Sequence, residues 1–179
     1  MYINDYASPI GKLTLASDGI YLTGLWIEGQ RYYGYTLKKD TVRQQAPVFE
    51  AARDWLDAYF AGDAPDLSLP LAPMGTPFQQ QVWQILKEIP YGTTTTYGDI
   101  AREVAARLGK PSMSAQAVGG AVGHNPISII IPCHRVLGAN GSLTGYAGGI
   151  DRKEWLLCME KSTSQGFPPS RLYDKITTP

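Results

Sequence analysis

Over the first 27 residues apolar side chains recur at short, strand-like intervals; from Ala46 onward they recur every three to four residues. Tyr2 to Tyr6, Lys12 to Ser17 and Ile20 to Ile27 are strand-like runs, separated by Ser8-Pro9-Ile10-Gly11 and by Asp18-Gly19, a two-residue hairpin signal. They predict a small antiparallel sheet. From Ala46 to Phe60 the residues Val48, Ala52, Trp55, Leu56, Tyr59 and Phe60 follow the helical period, and Gly62 stands where a helix stops. Such a helix covers one sheet face. Pro65, Pro70 and Pro73 forbid helix between Asp63 and Pro73, which places an inter-domain linker there.

The second part reads as helical. Thr76-Pro77-Phe78-Gln79 combines an N-cap, a proline at the first helical position and a glutamine that closes a capping box. Phe78, Val82, Ile85, Leu86 and Ile89 then form one apolar face, ended by Pro90. A second helix starts at Thr96, with Asp99 near its positive end and Ile100, Ala101, Val104, Ala105 and Leu108 inward, before Gly109 stops it. After the Lys110-Pro111-Ser112 turn, Ser114 to Val122 forms a third helix closed by Gly123. Two short helices joined this way make a helix-turn-helix candidate, a pattern that is unspecific by itself. A last helix opens at Asp151, with Glu154 as capping partner, and runs to about Glu160. The expected class is therefore α+β: residues 1–73 as sheet plus helix, 74–161 as a helical domain containing the helix-turn-helix, and 162–179 as a loosely held tail rich in Pro, Ser and Thr.

Composition adds bounds. At 179 residues and 44% hydrophobic content the chain can bury a core. The longest apolar run, Ile127 to Ile131, is far shorter than the roughly 20 residues of a membrane helix, and the start Met1-Tyr2-Ile3-Asn4-Asp5 lacks the features of a signal peptide. A cytoplasmic protein with reduced thiols is expected, since two cysteines without CxxC spacing suit neither a disulfide scaffold nor a zinc site. Sixteen basic and sixteen acidic residues cancel, which argues against a strongly electrostatic partner. The halves differ, however: six Lys/Arg face nine Asp/Glu up to Met74, and ten face seven from Gly75 onward.

The mildly basic half carries the chemistry. In Ile127-Ser128-Ile129-Ile130-Ile131-Pro132-Cys133-His134-Arg135-Val136 a buried strand is expected to deliver a cysteine to a rigid turn beside an imidazole. A thiol attacks only as thiolate, and a free pKa of about 8.5 leaves few per cent ionised near neutrality. His134 can take the proton directly or through a water, and a carboxylate oriented towards the ring would complete a relay. Taken alone, the pair also fits a buried apolar cysteine and an incidental histidine. Cys158, on the last helix, is read as packed core.

Pro132-Cys133-His134-Arg135, preceded by Gly123-His124-Asn125-Pro126 and followed by Gly145-Tyr146-Ala147-Gly148-Gly149 and Lys153-Glu154-Trp155-Leu156-Leu157, resembles the O6-alkylguanine-DNA alkyltransferase family. The likeness runs from about Thr76 to Glu160 and, more loosely, through the N-terminal part, where it implies a ribonuclease-H-like unit. It implies that Cys133 accepts the alkyl group irreversibly, activated through a water by His134, with Glu160 orienting the imidazole. Asn125 resembles the family's hinge asparagine. Tyr97 resembles the tyrosine that donates a hydrogen bond to the guanine and so helps it leave. The carbonyls of Cys133 and Val136 correspond to acceptors for the exocyclic amine, and Ala147, with Gly148 beside it, to a position whose N–H faces the oxygen. No cofactor or metal is implied.

The same resemblance implies double-stranded DNA containing alkylated guanine as partner, approached by a monomer through the minor groove without sequence preference, with the nucleotide rotated out of the stack. Ser114, Ala115, Gln116, Gly119, Gly120 and Arg135 are the corresponding DNA-binding positions. The small side chains of Ala115 to Ala121 suit close approach to a groove; tight packing against another helix would favour them equally. Gln116 stands where the family commonly has an arginine that enters the stack, and lacks that group's charge and plane. Two other readings remain: a lesion-binding relative of this scaffold that accepts no group, against which Cys133 argues, and a thiol hydrolase using Cys133 and His134, for which no acyl site is visible.

Overall fold

The computed structural model describes residues 1–166. Three strands open it, β1 (Tyr2–Ser8), β2 (Gly11–Ser17) and β3 (Leu22–Ile27), paired antiparallel as expected. A fourth, β4 (Val42–Arg43), adds parallel to β1, so the sheet is mixed, in the order β3-β2-β1-β4. The expected two-residue hairpin is a four-residue loop, residues 18–21: the Asp18 carboxylate accepts the N–H groups of Ile20 and Tyr21 at 2.9 and 2.8 Å, an Asx turn that outcompetes the tighter form.

Helix α1 (Pro47–Ala61) buries Val48, Phe49, Ala52, Leu56, Tyr59 and Phe60. Gly62 ends it at φ 97°, where only glycine is unstrained, and the N–H groups of Gly62 and Asp63 close back on Tyr59 and Ala58. Full burial of one such side chain as Leu56 contributes roughly 1.5–3 kcal/mol. Helix α2 (Pro77–Lys87) begins with the capping box read from Thr76 and Gln79. The short strand β5 (Thr95–Thr96) leads into α3 (Tyr97–Arg107), whose own capping box joins Thr96 and Asp99. Then follow α4 (Ala115–Gly123), capped by Ser114; a 3-10 turn over Cys133–Arg135; β6 (Val136–Leu137), parallel to β5; and α5 (Ile150–Ser164). Trp83 on α2 donates its indole N–H to the Ala121 carbonyl at 2.8 Å and locks α4 against the bundle. One continuous apolar core joins the sheet, α1 and the later helices.

Two expectations change here. The apolar run 127–131 is not a strand; it makes a single bridge, Ile127 to Leu25, on the outer edge of β3, and then turns. Leu25 donates to the Pro126 carbonyl and Ser128 donates to the Leu25 carbonyl, both at 2.8 Å, so the segment before the cysteine covers the part of the sheet edge that residues 70–72, bonded to Leu22, leave open. The last helix starts one residue earlier than expected, after Gly149 at φ 94°, with no side-chain cap from Asp151 or Glu154, and it runs on to Ser164. The tail therefore loses residues 162–164 to helix, and its residues 167–179 lie outside the described part.

Candidate active site

Three elements meet at Cys133. The turn before it is bent at Ile129, a β-branched residue at φ 70°, a conformation that costs roughly 1–3 kcal/mol and needs support. Asn125, 3% exposed, supplies it. Its amide donates to the carbonyls of Ile131 (2.8 Å) and Ile127 (3.3 Å), its oxygen accepts the Ile127 N–H (3.0 Å), and the same amide reaches Cys133 Sγ at 3.1 Å. One side chain thus holds the strained turn and donates to the sulfur. Asn125 follows His124, the C-cap of α4, so the turn and that helix are mechanically joined.

Cys133 is 5% exposed. Burial pushes its thiol above the usual range, and the opposing help of the Asn125 amide, the Lys153 charge and the nearby backbone N–H groups does not overcome that. The resting thiol is protonated. His134 is fully buried, and burial likewise pushes its imidazole below the usual value despite Glu160 beside it, so the ring is neutral at pH 7. Its Nε2 lies 2.6 Å from Glu160 Oε1; its Nδ1 has no hydrogen-bond partner among the described residues. A carboxylate can only accept, which places the proton on Nε2 and leaves Nδ1 a free lone pair.

Glu160, near the end of α5, is 1% exposed. Burial pushes its carboxyl up, but the charges and hydrogen bonds of His134 and Arg135 outweigh this and hold it well below the usual carboxylate range. Arg135 grips it with Nε to Oε2 at 2.9 Å and a terminal nitrogen to Oε1 at 3.0 Å, and donates its other terminal nitrogen to the Ile89 carbonyl at 2.7 Å. Gly92 N–H and the Tyr59 hydroxyl complete the set at 3.1 and 2.7 Å. Arg135, expected on the DNA-binding surface, is therefore interior: it is 8% exposed and its guanidinium is committed to Glu160.

Tyr97 opens α3 and donates its hydroxyl to the Thr144 carbonyl at 3.0 Å. Burial, and then the nearby sulfur, push its phenol up to about 12, so it is a proton donor at any working pH. It borders a cleft of about 710 Å³ together with Arg102, Ala115, Gln116, Gly119, Thr144 and Gly145. A second cleft of about 220 Å³ lies between Arg31, Tyr32, Gly119, Gly120 and the loop Gly145–Ala147. Cys133 lines neither cleft, but Tyr97 and Tyr146, which line one each, lie close enough for a thiolate there to raise both phenols. Val136 O, at the base of the site, accepts Lys153 Nζ at 2.6 Å and keeps its second lone pair.

Helix α4 settles what its small residues face. Val118, Ala121 and Val122 are buried, whereas Ala115, Gln116, Ala117 and Gly120 are exposed. A Cβ on Gly120 would meet nothing within 4 Å, and one on Gly119 only the Tyr97 ring at 3.8 Å. Packing within the protein does not demand glycine there. Ser114 caps the helix by accepting the Ala117 N–H. Among the expected site residues, then, Cys133, His134, Glu160 and Asn125 converge in the interior, Tyr97 stands at the mouth, and Ser114 to Gly120 lie on the adjoining surface. Ala147 and Gly148 form the loop opposite, where a Cβ on Gly148 would strike the Tyr146 ring at 2.5 Å.

Sequence reading missed Tyr59, Lys153 and Arg102 at the site. The helical period marked Tyr59 as core only. Lys153 is fully buried with its ammonium between the Val136 and Thr144 carbonyls, and burial brings it down to about 8. A lone lysine gives no sign of that in sequence. Cys158, read as core, is exposed on α5.

Known proteins are similar to this chain in sequence and fold. Residues 77–162 match the family model "6-O-methylguanine DNA methyltransferase, DNA binding domain" and residues 1–73 match "6-O-methylguanine DNA methyltransferase, ribonuclease-like domain". A methylated-DNA--protein-cysteine methyltransferase of Methanosarcina acetivorans is 46% identical over 168 residues, covering 90% of this chain and 99% of the relative. One of Mycobacterium bovis is 50% identical over 155 residues, covering 87% and 89%. A crystal structure of Mycobacterium tuberculosis OGT in complex with DNA superposes with a TM-score of 0.82 at 44% identity, covering 97% of this chain and 99% of that one. By its fold, its site and these matches, the chain belongs to the 6-O-methylguanine DNA methyltransferase family.

Proposed function

We propose that this protein repairs O6-alkylguanine in double-stranded DNA by moving the alkyl group irreversibly onto Cys133 Sγ, one group per molecule and without a cofactor. The observation that carries the reading is the free Nδ1 lone pair on a neutral, fully buried His134 beside a protonated thiol. Thiol and base are both neutral at rest, so no charge is stranded in the interior until substrate arrives. Attack then forms the S–C bond and breaks the C–O6 bond. The thiol proton passes to Nδ1 through a water, the bond pair goes to the guanine, and a hydrogen bond donated by Tyr97, which keeps its own proton, spreads the charge on the departing base until solvent protonates it. The imidazolium that forms is stabilised by Glu160.

The surface roles follow from position. The chain works as two lobes, 1–73 and 74–161, and the second lays the exposed face of α4 in the minor groove, Gly119 and Gly120 allowing close approach, with Gln116 at the wide cleft supporting the flipped state. The Gly145–Gly148 loop and the carbonyls of Cys133 and Val136 receive the base, which displaces the Tyr97 hydroxyl from Thr144. Shape rather than sequence is read. The protein acts as a monomer in the cytoplasm, and O4-alkylthymine is a further candidate substrate. Among the described residues no helix is long and apolar enough to cross a membrane.

Incubation with an O6-methylguanine duplex followed by intact mass measurement tests this. A single methyl increment, absent in Cys133→Ala, is expected. An unmodified protein held in a shifted complex would instead favour lesion binding without transfer.

A further inference from the structure

One donor on Glu160 comes from the half of the chain that carries no acceptor chemistry of its own. Tyr59 sits on α1, fully buried, stacked on Trp55 with ring centroids 5.3 Å apart and edge-on to Phe60 and Tyr91. Packing of that kind would be served by phenylalanine. A buried hydroxyl costs desolvation unless it is paired, so its partner matters. That partner is Glu160 Oε1 at 2.7 Å, the same oxygen that lies 2.6 Å from His134 Nε2, and the hydroxyl is itself 3.4 Å from Nε2.

We propose that Tyr59 is a positioning residue for alkyl transfer: its hydroxyl, donated to Glu160 Oε1, fixes that oxygen against His134 Nε2–H and tempers the carboxylate's pull on the imidazole, so setting the basicity of Nδ1. The inference rests on the function proposed above. Each hydrogen bond donated to a carboxylate reduces its own power to attract a proton. With the hydroxyl gone, Glu160 stabilises the imidazolium more strongly, and His134 stays protonated, and useless as a base, to higher pH. The charged and titratable groups around the ring are Glu160 and Lys153 from α5, Cys133 and Arg135 from its own turn, and Tyr59 from α1; Tyr59 in turn faces Glu160, Arg135 and Tyr91. Burial, followed by the Glu160 charge, pushes the Tyr59 phenol well above its usual range, so it remains a donor throughout.

The test is the rate of methyl transfer from an O6-methylguanine duplex under single-turnover conditions, followed from acid to alkaline pH so as to span the limb set by the His134 base. In Tyr59→Phe the acid limb should move to higher pH by about half to one pH unit, with a several-fold loss of rate at the foot of that limb. Replacing Tyr59 by a ring-fluorinated tyrosine, a stronger donor of nearly the same shape, should move the limb the other way. Trp55→Phe disturbs the stacking and removes the indole's bond to the Asp66 carbonyl, but spares the Tyr59 hydroxyl; it should lower the melting temperature and leave the limb in place. A Tyr59→Phe limb that stays put while the rate drops by one factor at every pH overturns the proposal, leaving only packing. If Tyr59→Phe does not fold, an unmoved limb in the fluorotyrosine protein overturns it equally. Should the unaltered protein transfer no methyl group, the proposed function falls and this inference with it; if it transfers and all limbs coincide, only the role of Tyr59 falls.

Discussion

His134 Nε2 lies 2.6 Å from Glu160 Oε1, while the other nitrogen of the same buried ring has no partner among the described residues. The pair therefore fixes which face of the imidazole is basic. Glu160→Gln keeps the shape but can donate to Nε2 and favour the wrong tautomer, and it leaves the Arg135 guanidinium buried without its counter-charge. The transfer rate should fall about 10²–10⁴-fold, and stability should fall by about 3–5 kcal/mol. Single-turnover kinetics and urea unfolding measure the two effects separately.

The same pair sets the response to acid. His134 has its folded pKa lowered by burial, so its contribution to stability is complete above the unfolded value near about 6.5 and is lost as pH falls through the folded value. Glu160, also lowered, contributes fully above about 4.3 and loses that contribution on further acidification. Both losses have the same sign. Unfolding free energy should fall in two stages below neutrality, and the later stage should be much reduced in Glu160→Gln.

The two thiols should differ in reactivity without DNA. Cys133 is buried and its thiol is pushed up, whereas Cys158 is exposed. Limited treatment with iodoacetamide near neutral pH, followed by peptide mapping, should label Cys158 at least about tenfold faster, since only an accessible thiolate reacts. Faster labelling of Cys133 would show that its sulfur is already ionised and open at rest.

Gly120 offers a separation of stability from binding. Nothing in the protein opposes a side chain there, and alanine gains about 1 kcal/mol of helix propensity over glycine. Gly120→Ala should therefore raise the melting temperature by a few degrees while weakening duplex binding. Unchanged DNA affinity in both Gly120→Ala and Gln116→Ala would remove α4 from the interface. Gly145 is different, because a Cβ would lie 2.7 Å from the Tyr97 hydroxyl at a backbone φ of 73°, so Gly145→Ala should damage both folding and transfer.

Local chemistry was the legible part of this sequence. The capping box at Thr76, the proline after it, the helix start at Thr96 and the stop at Gly62 each need only neighbours within four residues, and all appear where the pattern put them. Two-residue strands such as β4, β5 and β6 are too short to carry a period. The run 127–131 reads as a strand because apolar residues also fill buried turns, and the bonds that hold the turn are its own Ile131 N–H to Ile127 carbonyl closure and those of the Asn125 side chain. Arg135 was misplaced because its partner lies 25 residues away on α5. Tyr59 was seen as core, which its ring is; its hydroxyl reaches Glu160 across 101 positions, a relation no local pattern contains.

The most direct measurement titrates the protein with an excess of O6-methylguanine duplex and counts repaired guanines while mapping the methyl group by peptide mass. Repair that stops at one lesion per molecule, with the methyl on Cys133 and on no other residue, is the predicted result. Repair continuing past one equivalent, or a methyl group on Cys158, would contradict the account.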